Sequence, residues 1–79
     1  MPVIELFEGI KILMFANDHN PPHFHVYYAS FKAMIEISSL QIIRGGLPNK
    51  QYHKVVEWAE LRQQELLEDF INLNPQLRK

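Results

Sequence analysis

The sequence of 79 residues contains no cysteine, carries a formal net charge of only −1, and has no long apolar run. The missing cysteines exclude a disulfide framework and a thiolate zinc site, and they lead us to expect a protein of the reducing cytoplasm. The apolar runs are too short to cross a membrane. We also expect no signal peptide, because the start "MPVIELFEGI" lacks a basic segment followed by a long apolar stretch.

The balance of charge limits the kinds of partner that the chain can bind. Eight basic residues stand against nine acidic ones, whereas proteins that neutralise phosphates usually have a basic excess or a basic face. Tight, non-specific binding of nucleic acid is therefore disfavoured. A catalytic encounter with RNA is compatible with this balance.

The spacing of apolar residues changes once along the chain, near "RGGLPNK". Before this point apolar and polar residues alternate and turn residues recur at short intervals, which predicts four or five short antiparallel strands. We predict a single domain over residues 1–79, with the sheet in residues 1–46 and a loop over 17–22. The predicted strands are 3–7, 10–16, 23–29, 32–38 and a short fifth strand at 41–44.

After this point the spacing becomes helical. Pro48 and Asn49 are typical of a helix start, and apolar residues then recur every three or four positions up to an "NP" dipeptide. We predict one long helix over residues 47–74 and a tail over 75–79. Such a helix is on the order of 35 Å long and extends beyond the small sheet, so we expect a homodimer through its second half. The expected fold class is α+β, a small antiparallel sheet packed against this helix.

The alternation within the third predicted strand divides its residues between two faces. The even-numbered positions are apolar and should face the helix, which leaves His23, His25 and Tyr27 on the outer face. A two-residue turn centred on "SF" would place His25 opposite Glu36 in the fourth strand. On the other side, the second strand should place Leu13 beside His25.

The stretch "NDHNPPHFHVYY", residues 17–28, contains three of the four histidines. In one interpretation it forms an acid–base site that needs no cofactor. Glu36 would orient His25, and His23 would take the opposite protonation role. Such groups are typical of ribonucleases in which one group deprotonates the 2′-OH and another protonates the leaving oxygen. The predicted substrate contacts are Tyr27, Lys11 and Asn20.

A second interpretation of the same stretch is a zinc site. His23 and His25 lie on the same side of a strand, as a pair of metal ligands requires. His19 or Asp18 in the preceding loop would supply a third ligand and leave an open position, as in catalytic zinc sites. In a third interpretation these residues carry no chemistry. Asp18 and Asn20 then form a turn, the two prolines stiffen the chain, and the histidines lie on a solvated face.

Several segments together resemble a small bacterial family, domain of unknown function 4160. They are "MPVI", "GIKI", the "NDHNPPHFHVYY" block, "KAMIEI", "GLP" and "VVEWAELRQQELLEDF". The resemblance extends over nearly the whole chain, and its most specific part is the D-H-N-P-P-H-F-H element, whereas "QIIRGG" departs from the more acidic stretch expected there. The positions that coincide with the signature are Asp18, His19, Asn20, Pro21, Pro22, His23 and His25.

The resemblance implies a compact stand-alone domain, or one encoded beside another small gene in an arrangement like a toxin–antitoxin pair. It suggests a growth-inhibiting toxin with a small, antitoxin-like protein partner encoded nearby. Our first hypothesis is accordingly a toxin-like protein that acts on RNA without a metal. The alternatives are a non-catalytic protein-binding module and a metal-binding protein that uses His19, His23 and His25.

Overall fold

Strands and then helices follow one another along the chain, as the residue spacing predicts. The computed structural model describes residues 3–16 and 18–77; Asn17 of the predicted loop, and Arg78 and Lys79 of the predicted tail, lie outside the described residues. The strands are β1 (Val3–Phe7), β2 (Ile10–Leu13), β3 (His23–Tyr28), β4 (Phe31–Glu36) and β5 (Ile42–Gly45). The helices are α1 (Asn49–Glu60) and α2 (Gln63–Leu73), followed by a 3₁₀ turn at Pro75–Leu77.

The strands form one antiparallel sheet in the order β1-β2-β3-β4-β5, which confirms the α+β class and the fifth strand. Side chains of both helices join one core with the inner face of the sheet. The fully buried members from both layers include Ile12, Phe24, Val26, Ile35, Val55, Ala59 and Phe70. Each of these side chains except that of Ala59 contributes about 1.5–3 kcal/mol through its removal from water. Among the described residues, no helix is both long and apolar enough to cross a membrane.

The hairpin between β3 and β4 turns one residue earlier than predicted. Ala29 adopts a positive φ of 52°, which is typical of tight hairpin turns. His25 therefore lies opposite Met34, and Glu36 lies opposite His23. The predicted pairing of His25 with Glu36 is wrong, but the displacement is an even number of residues, so the residues of β3 and β4 that were predicted to share a face still do. His23, predicted on the solvated outer face, is instead buried.

The prediction of a single helix over 47–74 is also wrong, because the helix is interrupted between α1 and α2. Arg62 has a non-helical φ of −132°, and its N–H donates to the Ala59 carbonyl at 2.8 Å. Its guanidinium donates to the Trp58 carbonyl at 2.8 Å. The break lets both helices cover one small sheet, and Phe70 of α2 is buried in the core. The homodimer was expected because one long helix would extend beyond the sheet. Two shorter helices remove that argument, and the homodimer stays a prediction.

Replacement of Phe70 tests this packing of α2. Phe70 is only 1% exposed, and its ring centroid lies 5.5 Å from that of His23. Phe70→Ala should lower the free energy of unfolding by about 3–5 kcal/mol. Phe31→Ala removes the same kind of side chain at a position that is 45% exposed. This variant should change the free energy of unfolding by about 0.5 kcal/mol or less. Urea unfolding followed by circular dichroism compares the two, and equal losses would contradict this assignment of the core.

Candidate metal centre

Asp18, His23 and His25 bring three potential metal ligands together at one end of the sheet. The two histidines are two residues apart on β3, so the period of the strand turns both rings to the same side. Asp18 reaches them from the loop between β2 and β3. Asp18 Oδ2 lies 3.0 Å from His23 Nε2 and 3.2 Å from His25 Nε2. The three ligand atoms all lie within 4.8 Å of one another.

His23 is entirely buried, and its two ring nitrogens have different surroundings. Nδ1 lies 2.7 Å from the Pro21 carbonyl oxygen, which can only accept, so Nδ1 carries a hydrogen. In the neutral ring Nε2 then bears the lone pair. It faces Asp18 Oδ2 at ion-pair distance but without the angles of a hydrogen bond, and it has no hydrogen-bond partner. Two electron-rich atoms in buried contact require a positive charge beside them, either a proton or a metal ion.

The His25 ring packs against apolar side chains on one side and is partly exposed to solvent on the other. The Phe15 ring packs edge-on against it, with centroids 4.6 Å apart and planes at 79°. Leu13 lies opposite on β2, as the sequence predicts, and is buried. The imidazole nevertheless keeps 18% of its side-chain surface exposed. Its orientation is therefore fixed while one edge stays within reach of solvent.

The Asp18 carboxyl is a stable anion despite its position in the cluster. Burial raises its pKa, but three opposing effects outweigh burial. The His19 backbone N–H donates to Oδ1 at 2.9 Å, His25 Nε2 donates to Oδ2 at 3.2 Å, and the Coulombic attraction of His23 and His25 in their protonated forms also favours the carboxylate. The pKa of Asp18 therefore lies below its usual value. While both imidazoles are neutral, the cluster thus presents one negative charge that a cation would neutralise.

Asn74, fully buried after the end of α2, holds the loop that carries Asp18. Its Oδ1 accepts the backbone N–H of Asp18, and its Nδ2 donates to the carbonyls of Phe15 at 3.1 Å and Phe70 at 2.9 Å. Gln76 Nε2 adds a bond to the Asp18 carbonyl at 3.2 Å. This role of Asn74 could not be predicted from the sequence, because an Asn-Pro dipeptide signals only a helix end. A contact between residues 56 positions apart has no local signature.

His19, one of the predicted metal ligands, lies beside the cluster. Its side chain is 72% exposed, and its Nε2 is 3.6 Å from Asp18 Oδ1 rather than from Oδ2. Its Nδ1 donates to the Asn20 carbonyl at 3.1 Å. The sequence allowed either His19 or Asp18 as the third ligand. In the structure Asp18, and not His19, belongs to the group of three potential ligands.

Glu36 does not orient His25, contrary to the prediction. Its Oε1 accepts a hydrogen bond from Ser39 Oγ at 2.5 Å, and the register places it opposite His23. Asp18 makes the contact that was expected from Glu36. Any catalytic role of Glu36 stays a prediction.

The predicted substrate contacts lie in two places. Lys11 and Tyr27 face each other across β2 and β3, on the outer face and next to the row that contains His25. Asn20 lies in the loop, and its carbonyl accepts the hydrogen bond from His19. Lys11 and Tyr27 therefore belong to one surface, and Asn20 belongs to the loop beside the cluster.

Fold and site together define a small α+β domain that carries an aspartate and two histidines at one end of its sheet. The family model described as "Domain of unknown function (DUF4160)" matches residues 9–70, and the chain belongs to this family. The match includes the whole cluster, whereas Asn74 lies beyond it. Comparison with curated proteins finds no match, and comparison with solved structures finds none either.

Removal of the Asn74 side chain tests its role in holding Asp18. Asn74→Ala leaves the Asp18 N–H and the Phe15 carbonyl without their partner, and each unsatisfied buried group costs about 1–3 kcal/mol. We expect a loss of stability of about 2–4 kcal/mol. Asn49→Ala makes the same change at an exposed position and should have little effect. Thermal and urea unfolding of both variants measure this, and a stable Asn74→Ala protein would contradict the role.

A pH series tests the Asp18 anion. Because its pKa is lower in the folded chain than in the unfolded chain, its contribution to stability is fully present above the usual value of 3.8. It is lost as the pH falls through the folded-state pKa. The difference in unfolding free energy between wild type and Asp18→Asn should therefore be largest near neutral pH and shrink below a pH of about 4. Urea unfolding at stepped pH measures it, and a difference independent of pH would speak against a depressed pKa.

Proposed function

We propose that this domain binds a divalent transition metal ion through Asp18, His23 and His25. The observation that carries the proposal is the buried Nε2 of His23, which faces a carboxylate oxygen with no hydrogen bond between them. A metal ion would accept the lone pairs of both atoms and remove their repulsion. It would also neutralise the charge of Asp18, which the loop holds in the anionic form.

The spacing of the ligand atoms suits a first-row metal. Bonds of about 2.0–2.1 Å at tetrahedral angles place neighbouring ligand atoms roughly 3.3 Å apart, close to the 3.0 and 3.2 Å from Asp18 Oδ2 to the two imidazoles. Metal-bound histidines nearly always donate their other ring N–H to a carbonyl or carboxylate, as His23 does to Pro21. Two imidazoles and one carboxylate favour zinc or iron over calcium or magnesium, which prefer oxygen ligands.

The exposure of the cluster favours an open site. The side chains of Asp18 and His25 are 15% and 18% exposed, so an ion held between them would border the solvent. Structural zinc sites are closed by four protein ligands, whereas catalytic sites use three and keep a position for water or substrate. We infer a metal-dependent enzyme rather than a domain in which the metal only stabilises the fold.

The metal-free acid–base pair, our first hypothesis from the sequence, has less support. His23 has no exposed surface, whereas a general acid or base must reach the reacting group directly or through one water. His25 alone keeps an exposed edge. Growth inhibition by the chain and neutralisation by a small protein partner rest on the family resemblance, and they stay predictions.

Zinc titration tests the proposed metal centre. We use untagged protein, treated with a chelator and dialysed, and measure zinc binding by isothermal titration calorimetry. Wild type should bind one ion per chain, and the ion should raise the melting temperature, because a ligand that binds only the folded state stabilises it. His25→Ala removes one ligand at a half-buried position and should weaken zinc binding by about tenfold or more.

Two further histidines serve as controls in this titration. His53→Ala changes an exposed residue of α1, away from the cluster, and should leave zinc binding unchanged. His19→Ala should retain most of the affinity, because its ring lies outside the group of three ligands. Zinc binding well below one ion per chain, or equal losses in His25→Ala and His53→Ala, would refute the proposal. Circular dichroism confirms that each variant is folded.

A further inference from the structure

The outer face of the sheet, opposite the helices, carries charged and aromatic side chains that the metal centre does not use. Lys11 on β2 and Lys32 on β4 lie on either side of Tyr27 on β3. In the next row Arg44 on β5 lies opposite Met34. Since neighbouring strands are about 4.8 Å apart, the three cations span roughly 15 Å around one aromatic ring. Lys11, Tyr27, Lys32 and Arg44 are termed the basic patch.

The cations of the basic patch have no acidic partner within the part of the chain that the structure describes. The ion pairs found there join Lys54 to Glu8 and Asp18 to its neighbouring histidines. The cross-strand rows that contain Lys11 and Arg44 include no carboxylate. Although the whole chain has a net charge of −1, these two rows therefore concentrate positive charge, and Glu36 lies one row further along, opposite His23. Such a concentration attracts phosphate groups.

Tyr27 supplies a ring on which a nucleic-acid base can stack. Its side chain is only partly buried, and Lys32 Nζ lies over the ring at 5.1 Å from the centroid. The lysine stem is flexible, and its ammonium can move to a phosphate when a base takes its place. Aromatic rings beside cations are the usual means of binding single strands, because unpaired bases stack while the cations contact the backbone. A duplex, whose bases stack on one another, cannot use the ring in this way.

A surface depression extends from the basic patch to His25, one of the three residues of the candidate metal centre. It offers about 160 Å³, roughly ten times the volume that one water molecule needs. Its lining includes His25, Tyr27, Lys32, Met34 and Arg44. His25 thus borders the depression while its Nε2 faces Asp18. His25 lies two residues from Tyr27 along β3, a distance of about 7 Å. A single-stranded nucleic acid with a base stacked on Tyr27 would therefore pass close to His25.

We propose that the basic patch binds single-stranded nucleic acid and places a backbone phosphate beside Asp18 and His25. Binding by the basic patch does not depend on a metal, whereas placement of the phosphate at a metal ion rests on the function proposed above. An acidic protein partner would use the cations but not the ring of Tyr27. Three cations give weak binding, with a dissociation constant of about 10–100 µM at physiological salt, as is typical of non-specific contacts.

Fluorescence anisotropy of a labelled oligouridylate tests this binding, with metal-free protein in the presence of a chelator. The logarithm of the binding constant should fall with the logarithm of the salt concentration with a slope of about −2 for three phosphate contacts. Lys32→Gln and Arg44→Gln should each reduce that slope by about 0.7. Tyr27→Leu should weaken binding roughly 5- to 150-fold and leave the slope unchanged.

Lys50→Gln is the matched control, because it removes an exposed lysine of α1 on the helical side of the sheet. It should leave both the affinity and the slope unchanged. The proposal is overturned if this variant and Lys32→Gln have equal effects. It is also overturned if a duplex of matching sequence or a polyglutamate peptide binds metal-free protein as tightly as the oligouridylate does.

Addition of zinc separates this inference from the proposed metal centre. Zinc should increase the affinity of wild type for the oligouridylate, and the increase should be absent in His25→Ala. Oligouridylate binding by a protein that binds no zinc would reject the metal centre and support the basic patch. Zinc binding without any gain in oligouridylate affinity would reject the placement of the phosphate.

Discussion

The buried contact between His23 and Asp18 is the constraint on which the arrangement of this end of the molecule depends. The Pro21 carbonyl holds Nδ1 of the ring, so Nε2 points at the carboxylate. Asn74 holds the backbone of Asp18, and Phe70 packs against the imidazole. These contacts hold the imidazole and the carboxylate against each other. The surrounding fold therefore maintains a pair of atoms that only a positive charge can stabilise.

This arrangement is easier to explain by function than by stability. A buried polar atom without a hydrogen bond costs about 1–3 kcal/mol, and an apolar residue in the place of His23 would avoid that cost. Proteins keep such local conflicts mainly at functional sites. The two faces of the sheet separate the residues that stabilise the fold from those proposed to function. The inner face builds the core with both helices, and the outer face carries the basic patch and His25, which keeps only an edge exposed.

Much of the fold follows from patterns that act over a few neighbouring residues. Alternation along β3 predicted correctly that His23 and His25 share a side and that Leu13 lies beside His25. The register between β3 and β4 was predicted wrongly. Two registers place the same residues of the two strands on a common face, and the choice between them depends on the positive φ of Ala29. The helix break escaped prediction for a similar reason, since the apolar spacing is helical on both sides of Arg62.

The sequence by itself determined the α+β class, the sides on which the strand residues lie, and the stretch in which the candidate site is found. These features depend on local backbone preferences and on the two-residue period of a strand. Only the tertiary structure decided that Asp18 rather than Glu36 meets the histidines, and that His23 is buried. Both outcomes depend on α2 folding back over the sheet, which brings Asn74 to a loop 56 residues away. Packing over that separation leaves no local pattern in the chain.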